Sequence, residues 1–247
     1  MGLQPVWVTP LGIFAIVLNG RERYINLARS PLNSAASTAL AKNKYVTRRI
    51  MERHGVQNIP FTLPRTDAEA TAFLAEYETI IAKPIAGSGA HDIHVVTSQA
   101  ELRVLKTGRY ILEKYIVGKE WRYLVLNGHV IGVHRSEYGT SVAEDRPLQR
   151  ISYSQDAWNP ALLESSLRVA RILNLTFAAV DYLIEASGSA YLLEVNTTPG
   201  LKWFHAPSSG PVVDVARLFL ESIVENASAE GQVTPVLVAS DPLKAYS

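Results

Sequence analysis

Three oxygen-bearing side chains on one short stretch of the chain could together bind a metal ion. Asp181 falls in a predicted strand over Phe177–Ile184, and Glu194 and Asn196 lie at the end of a second strand, over residues 190–195. A short turn joins the strands, and the period of two places Glu194 and Asn196 on one face. Carboxylate and amide oxygens are suitable ligands for Mg²⁺, which is often coordinated by nucleotide phosphates as well. The pattern predicts a magnesium site, with ordinary polar strand ends as the alternative. The sequence has no Cys, which excludes a thiolate site.

A glycine-containing loop further upstream could cover phosphate groups. It lies between a predicted strand over residues 80–83 and a strand over residues 93–96. Glycine lets backbone N–H groups approach phosphates closely, and Lys83 would add positive charge from the strand end. A plain turn is the alternative interpretation. The candidate loop residues are Gly87, Ser88 and Gly89.

Two arginines alternate with apolar residues on a predicted hairpin that turns at Asn127-Gly128. Three valines predict that one face of this hairpin belongs to the core: Val125, Val130 and Val133. We expect Arg122 and Arg135 to lie on the opposite face, where each could bind phosphate or carboxylate through two hydrogen bonds. Two solvated strand arginines are the alternative.

The elements that must position these residues form a mixed pattern of helices and strands. Residues 137–159 lack periodicity and predict a mobile or substrate-covering loop. The tail from Ser228 is expected to be poorly ordered. The other predicted elements are a hairpin over 13–27, a helix from Ser37 or Thr38 to His54, a short helix over 68–77, a strand over Tyr110–Lys114, a helix from Asn159-Pro160, and an amphipathic helix from Pro211.

The run EVNTTPGL, which ends the metal hairpin, resembles the metal-binding hairpin of ATP-grasp enzymes. From about Ser37 to Asn226 the order of parts also matches that family: helix lysine, strand lysine with a glycine flap, hinge, basic ribbon and metal hairpin. The segment looks most like the ATP-grasp modules of cyanophycin synthetases, fused-type glutathione synthases and ribosomal-protein glutamate ligases. In these enzymes a carboxylate attacks the γ-phosphate of ATP, and an amine captures the acyl phosphate. The resemblance implies an ADP-forming carboxylate–amine ligase that uses ATP and Mg²⁺, with Mn²⁺ as an alternative metal.

The resemblance also implies which residues contact the nucleotide. Lys44 and Lys83 would reach the phosphates beneath the flap. The backbone of the hinge would hydrogen-bond the adenine edge, and Glu120 would bind the ribose hydroxyls, since a carboxylate accepts two such bonds. Glu113 would assist at the adenine amino group. The hinge residues are Lys114, Tyr115 and Ile116.

Two further assignments follow from the family pattern. Some relatives carry an arginine two residues before the metal aspartate, where this chain has Ala179, so Arg135 is the candidate for neutralising the terminal phosphate. Arg122 is the second candidate catalytic arginine. The loop after the metal hairpin resembles the loop that contacts the acceptor substrate, with a plain connector as the alternative. Its candidate residues are Gly200, Lys202 and His205.

Composition restricts the possible partners. The 247 residues include 24 basic and 23 acidic side chains, a net charge of +1, which argues against nucleic-acid or membrane binding through bulk charge. The first residues lack the features of a signal peptide, and no apolar stretch reaches membrane-spanning length. We therefore expect a cytoplasmic protein, and the resemblance to ATP-grasp ligases implies small amino-acid or peptide substrates.

The expected fold class is α+β: an ATP-grasp fold of two α+β lobes with the nucleotide between them, without a full N-terminal domain before the core. The expected limits are 1–36 for an N-terminal hairpin extension, 37–116 for the first lobe, 117–227 for the second and 228–247 for a tail. Because the N-terminal part is short, a homo-oligomer could complete the substrate site. The competing functions are an ATP-grasp small-molecule kinase and a non-catalytic nucleotide-binding module.

Overall fold

The computed structural model describes residues 6–9, 13–18, 20–29, 31–86, 92–105, 108–137 and 149–230. Within those residues the strands form three sheets, and all neighbouring strands in each sheet are antiparallel. The helices and sheets alternate irregularly along the chain, which confirms the α+β class. No helix in this part of the chain is both long and apolar enough to cross a membrane.

The first sheet contains three strands in sequence order, β1 (Val6–Thr9), β2 (Ile13–Leu18) and β3 (Arg21–Asn26). The β2–β3 pair confirms the predicted N-terminal hairpin. Ile16 and Ile25 from this pair are fully buried against the main core. The N-terminal sheet is therefore packed onto the rest of the molecule.

The second sheet has the strand order β4-β7-β5-β6. Its strands are β4 (Phe61–Thr62), β5 (Ile80–Pro84), β6 (His94–Val96) and β7 (Tyr110–Lys114). The predicted glycine loop follows β5, but residues 87–91 lie outside the described residues.

The third sheet has the strand order β10-β9-β8-β11-β12 and carries most of the candidate site. β8–β9 turns at Asn127-Gly128, and both turn residues have positive φ, at 48° and 73°. The register of that pair shifts between Leu124 and Val125. The strands are β8 (Lys119–Leu126), β9 (His129–Glu137), β10 (Gln149–Tyr153), β11 (Phe177–Ile184) and β12 (Ala190–Asn196).

Seven helices lie in the described part of the chain. They are α1 (Ala35–Lys42), α2 (Lys44–Arg53), α3 (Asp67–Tyr77), α4 (Gln99–Arg103), α5 (Pro160–Ile172), α6 (Lys202–His205) and α7 (Val215–Glu230). Thr66, Ser98 and Asn159 cap α3, α4 and α5, since each side chain accepts a hydrogen bond from the first turn.

The predicted helix that ends at His54 is two helices in the structure. Asn43 takes an extended conformation between them, and its side chain accepts a hydrogen bond from the Val46 N–H, so it caps α2. Ser34, rather than Ser37 or Thr38, caps α1. The break places Lys44 at the first position of α2, beside the end of β5, where its N–H donates to the Ile85 carbonyl at 2.9 Å.

Two other predictions need correction. The predicted loop over 137–159 contains strand β10 and a short 3₁₀ turn at Gln155–Ala157, while its residues 138–148 lie outside the described residues. The helix predicted from Pro211 begins at Val215, and Val212 is 65% exposed instead of facing the core. The tail prediction falls mostly outside the described residues, because α7 continues to Glu230 and the description ends there.

The third sheet is covered on both faces. Tyr123 and Val180 point to one face and pack with Leu162 and Val169 of α5. Leu124 and Ala179 point to the other face and form a core with Phe204 of α6, residues of α7 and the N-terminal sheet. Because the second core covers only part of its face, the rest of that face is left for polar side chains.

Candidate active site

Five polar residues form a row across the third sheet, one from each strand. Directly opposed residues in antiparallel strands share a face, so the pairings place all five side chains on the same side of the sheet. Glu194 is opposed to Asp181, Asp181 to Arg122, Arg122 to His134, and His134 to Ser152. We call Glu194, Asp181, Arg122, His134 and Ser152 the polar row. It joins the predicted metal hairpin to the predicted basic ribbon.

Asp181 and Arg122 form the tightest contact of the polar row. Arg122 donates from Nε to Asp181 Oδ1 at 2.7 Å and from Nη2 to Oδ2 at 2.6 Å, and Asp181 is 1% exposed. Burial alone would lower the pKa of the Arg122 guanidinium, but the Asp181 carboxylate outweighs it and holds that pKa above its ordinary value. Arg122 therefore holds the Asp181 carboxyl group in a fixed orientation.

Glu194 is the β12 member of the polar row, and Asn196 lies two residues after it on the same face. Burial, followed by the neighbouring Asp181, raises the pKa of Glu194, because two carboxylates share one water-poor region. Asn196 is opposed to Ala179, and its Oδ1 accepts a hydrogen bond from the Thr198 N–H at 2.9 Å. No three His, Cys, Asp or Glu side chains in the described ranges group closely enough to bind a metal. A metal held here would use two carboxylates and an amide oxygen.

A second charged group lies where α2, β5 and β7 meet. Lys83 Nζ is 2.7 Å from Glu113 Oε2, and Arg48 donates to Glu113 Oε1 from Nε and Nη2 at 3.0 and 2.8 Å. Burial would raise the pKa of Glu113, but Arg48 and Lys83 lower it to about 2. Burial also lowers the pKa of Lys44, while Glu194 acts to raise it. Lys44 and Lys83 are therefore electrostatically coupled to Glu194 of the polar row.

A cleft of about 240 Å³ connects the two charged groups. Lys44, Arg48, Glu194 and Asn196 line it together with the loop that follows β12. Ala86 pairs with Asn43 at the same place, so the glycine flap starts at the mouth of this cleft. Gly87, Ser88 and Gly89 lie outside the described residues, and their assignment stays a prediction.

Two of the three backbone N–H groups of the hinge already donate hydrogen bonds within the protein. The N–H groups of Lys114 and Tyr115 donate to the carbonyls of Pro60 and Thr79 at 2.9 and 3.1 Å. Within the described ranges, no backbone carbonyl accepts from the Ile116 N–H. Recognition of an adenine edge by this segment would thus use Ile116 N–H and the hinge carbonyls. Glu120 shares the polar-row face, two residues before Arg122 on β8.

Arg135 does not lie where the sequence predicts. It is opposed to Trp121, so it points to the opposite face from Arg122. Its guanidinium lies 5.6 and 5.8 Å from the ring centroids of Trp121 and Tyr153 and pairs with Glu137. The expectation that Arg122 and Arg135 share a face is wrong. The register shift in the β8–β9 pair directs the Arg135 side chain to the face opposite that of Arg122.

Arg150 takes the place expected for the second arginine. It is opposed to Ser136, whose other neighbour across the sheet is Glu120. Its Nη1 lies 3.7 Å from Glu120 Oε1, an ion-pair distance beyond hydrogen-bond length. Arg150 was missed because its stretch has no clear periodicity. Arg48 and His134 were missed as well, although a basic or polar residue within an apolar strand or helix is a signal for a buried polar contact.

The predicted substrate loop lies against the polar-row face. Phe204 stacks on the His134 ring at 4.7 Å and fills the space above Gly132, where a Cβ would lie 2.9 Å from the Phe204 ring. His205 Nε2 accepts a hydrogen bond from Ala216 N–H, next to the start of α7. Lys202 lies over the Trp203 ring at 5.0 Å, and Gly200 precedes this turn.

Comparison with known sequences gives a consistent result. A family model described as the RimK-like ATP-grasp domain matches residues 41–223. The D-alanine–D-alanine ligase of Aquifex aeolicus is 23% identical over an alignment of 183 residues, covering 67% of this chain and 61% of that ligase. The coenzyme gamma-F420-2:alpha-L-glutamate ligase of Methanococcus maripaludis is 23% identical over 202 residues, covering 75% of this chain and 67% of that ligase. The chain thus spans roughly three fifths to two thirds of these relatives.

Solved structures share the fold. The ATP-grasp ligase PsnB in complex with a minimal precursor superposes with a TM-score of 0.65 at 16% identity, covering 80% of this chain and 63% of PsnB. A bifunctional glutathione synthetase from Pasteurella multocida gives 0.67 at 13% identity, covering 91% of this chain and 42% of that protein. The family match includes every member of the polar row, together with Lys44 and Lys83. The resemblance noted in the EVNTTPGL run is confirmed, and the chain belongs to the RimK-like ATP-grasp family.

Proposed function

We propose that the chain is an ATP-dependent, ADP-forming carboxylate–amine ligase that joins amino acids or peptides through an acyl phosphate. The observation that carries the proposal is the cluster of charged side chains that runs from Lys44 and Lys83 to Glu194, Asp181 and Arg122, with Lys44 and Glu194 lining one cleft. Relatives named as D-alanine–D-alanine ligase and as glutamate ligases support it.

The nucleotide would occupy the cleft between α2 and β12. Lys44 and Lys83 place positive charge against its phosphates, and the backbone N–H groups of Gly87, Ser88 and Gly89 cover them. The hinge at Lys114, Tyr115 and Ile116 holds the adenine edge, and Glu120 holds the ribose. Glu113 orients Lys83 through their 2.7 Å ion pair, which leaves its assignment to the adenine amino group as the weaker of its two roles.

Asp181, Glu194 and Asn196 would hold Mg²⁺, with Mn²⁺ as the alternative metal. The donor set fits a hard cation, because each carboxylate keeps free lone pairs beside the hydrogen bonds it accepts. The raised pKa of Glu194 is in keeping with this, since burial and then the facing Asp181 carboxylate raise it, a pairing that a bound cation would relieve. When bound, the metal would neutralise charge on the phosphate oxygens.

The reaction proceeds in two displacements. A carboxylate oxygen of the first substrate attacks the γ-phosphorus, and the bond from that phosphorus to the bridging oxygen breaks, so ADP leaves. The amine nitrogen of the second substrate then attacks the acyl carbon. Nitrogen loses a proton, the bond from carbon to the phosphate oxygen breaks, and an amide and inorganic phosphate result. The chain's contribution is to position and neutralise these groups, without a protein nucleophile.

Arg122 and Arg150 are the candidates for contact with the transferring group and the acyl phosphate. Arg122 keeps Asp181 in place through two hydrogen bonds, and its burial gives its charge a stronger field than an exposed arginine would have. Arg150 replaces Arg135 as the second cation because it shares the face of the polar row. Gly200, Lys202 and His205 belong to the loop that would border the amine substrate. A cytoplasmic location and a homo-oligomeric state complete the proposal, since the reaction consumes ATP and a second subunit could complete the substrate site.

One experiment separates the candidate functions. The purified chain is mixed with ATP, Mg²⁺ and pools of amino acids and short peptides, and the products are analysed by mass spectrometry together with ADP. New amides accompanied by ADP are expected. A stable phosphorylated product without an amide would indicate a kinase, and nucleotide binding without ADP in any pool would indicate a binding module.

A further inference from the structure

Arg29, in a turn that follows β3, contributes a cation to the cleft of the candidate active site. Lys44, Glu194 and the segment from Asn196 to Thr198 line the same cleft. The Arg29 side chain is exposed to solvent, so a ligand can reach it. The region that matches the family begins at residue 41, and Arg29 lies before it. The N-terminal part of the chain therefore adds a side chain to a cleft whose other lining residues lie between 41 and 198.

The backbone at Arg29 is fixed by a tight turn and by the core. Asn26 and Arg29 exchange two backbone hydrogen bonds, of 3.0 and 2.9 Å, and Leu27 between them has a φ of 56°. Ala28 is 6% exposed and belongs to the same buried cluster as Ala179 of β11. None of these contacts uses the Arg29 side chain, so the turn holds the residue in place and leaves its guanidinium to the cleft.

A second anchor places this segment beside the end of the β11–β12 hairpin. The Asn33 Nδ2 donates to the Phe177 carbonyl at 2.6 Å, and the Asn33 Oδ1 accepts from the Thr176 N–H at 2.9 Å. Two residues after Phe177, Ala179 is opposed to Asn196, a candidate metal ligand. Because Ala179 is uncharged, β11 brings no positive charge to this point. Arg29 supplies a cation from outside the sheet at the same end of the hairpin.

The charge of Arg29 has no counter-charge among the described residues, unlike that of the other arginines of the site. Each of the others has a carboxylate neighbour: Arg48 has Glu113, Arg122 has Asp181, and Arg150 has Glu120. Lys42 also lines the cleft, but it ends α1, where the helix dipole stabilises a cation. Arg29 follows a strand and has no such stabilisation. Its charge is therefore available to an anionic ligand in the cleft.

In the proposed function, the anion nearest to Arg29 is the terminal phosphate of ATP, because this phosphate lies by the candidate metal ligands Glu194 and Asn196. Resting on that function, we propose that Arg29 is a further catalytic residue, which donates hydrogen bonds to the phosphoryl group during its transfer to the carboxylate donor. The donor's bond to phosphorus forms as the bond from phosphorus to the bridging oxygen of ADP breaks, and negative charge stays on the three other phosphoryl oxygens. A guanidinium can donate two parallel hydrogen bonds to such oxygens.

Calorimetry with two nucleotides tests this contact without knowledge of the substrates. Mg·AMP-PNP carries a terminal phosphoryl group, and Mg·ADP lacks one. Arg29→Met should weaken the binding of Mg·AMP-PNP by about tenfold and leave that of Mg·ADP unchanged, because only the first loses a charge-assisted hydrogen bond. Arg29→Lys keeps the charge without the planar pair of donors and should weaken Mg·AMP-PNP by about threefold. If Arg29→Met weakens both nucleotides equally, or neither, the proposal is wrong.

Arg21→Met is the matched control for these measurements. Arg21 is an exposed arginine at the start of β3, in the same N-terminal sheet, and it does not line the cleft. This variant should bind both nucleotides as the wild type does. Arg29→Met keeps the backbone hydrogen bonds of its turn, so its thermal unfolding should coincide with that of the wild type. A lower midpoint together with weaker binding of both nucleotides would give Arg29 a structural role and overturn the proposal.

Steady-state kinetics separates phosphoryl transfer from substrate binding. With a carboxylate donor that supports ADP formation, Arg29→Met should lower kcat by about 100-fold and change the KM for that donor by less than about twofold. A higher KM with an unchanged kcat would show that Arg29 binds the carboxylate donor, which would overturn the proposal and leave the ligase function standing. A wild-type chain that forms no ADP with any substrate pool would reject the proposed function, and the catalytic assignment of Arg29 with it.

Discussion

The two faces of the third sheet use the same five strands for opposite purposes. On the face towards α5, Tyr123, Val133 and Val180 fill a continuous apolar core. On the other face, the residues beside them form the polar row. Arg122 and Arg135 show the difference most clearly, because one pairs with a buried carboxylate and the other covers aromatic rings. Which face a side chain occupies, more than its chemical type, decides whether it can take part in the site.

The largest expected difference between the faces is in stability. Arg122→Ala would leave Asp181 as a buried, unpaired charge, and we expect the free energy of unfolding to fall by about 3–5 kcal/mol. Arg135→Ala removes cation–π contacts and an ion pair at a partly exposed position, and we expect a loss of about 1 kcal/mol. Urea unfolding followed by circular dichroism measures both. Equal losses would show that the two arginines have equivalent surroundings.

A large difference in ADP formation is expected between a variant in the polar row and a variant outside it. Glu194→Gln removes one charge of the candidate metal site, and ADP formation should fall about 100-fold or more, with a higher Mg²⁺ requirement. Glu185→Gln is the matched control, because Glu185 follows the strand opposed to that of Glu194 but lies beyond the paired residues. It should keep wild-type activity. Unchanged ATP turnover in Glu194→Gln would remove Glu194 from the metal site.

A smaller effect concerns acid pH. His134 has a pKa of about 3 in the folded chain and 6.5 when exposed, so only the unfolded chain takes up the proton between these values. Stability should therefore fall as the pH drops from 6.5, by about 2–3 kcal/mol at pH 4.5. His134→Phe should lack this fall. Glu113 lowers the stability of the folded chain mainly below pH 4.5, since its folded pKa is about 2. Between pH 7 and 4.5 the raised pKa of Glu194 also affects stability, but it does so in both proteins. The difference between their unfolding curves therefore reports on His134, and identical slopes in both proteins would contradict its buried, neutral state.

The β11–β12 hairpin was predictable because its signal is local. Asp181, Glu194 and Asn196 lie on a hairpin with regular alternation, and the EVNTTPGL run continues into a recognisable turn. The direct opposition of Asp181 and Glu194 adds the detail that the two carboxylates share one buried space. The domain limits remain predictions, because the chain has no composition shift at which to place them.

The position of Arg135 was not predicted because it depends on one extra residue. Leu126 is opposed to His129 and Val125 to Val130, but Leu124 is opposed to Gly132, so Ile131 is the inserted residue of a bulge. Without that residue Arg135 would face Glu120 and share the side of Arg122. The sequence carried a signal: Val130 and Val133 are both buried but three residues apart, which a regular strand cannot place on one face. Gly132 beside them is a further sign of a bulge or close contact.

The contacts of Arg48 could not be predicted, because its partners are far apart in the sequence. It donates to Glu113 in the second sheet and to the carbonyls of Leu192 and Leu193 in the third, the latter at 2.6 Å. A helix surface pattern does not report contacts with two separate sheets. The same holds for Glu113, whose buried charge is supported from α2 and β5 together.

The Arg48 bridge has a consequence for how the chain unfolds. If the second sheet separated from the third, the Arg48 guanidinium would lose its contacts to the β12 carbonyls, and the buried ion pair with Glu113 would be exposed at the break. Partial unfolding at the predicted limit between residues 116 and 117 is therefore unfavourable, and the two sheets should melt in a single cooperative transition. That limit marks where the chain passes from one sheet to the next, and fragments cut there should regain structure only when they are refolded together.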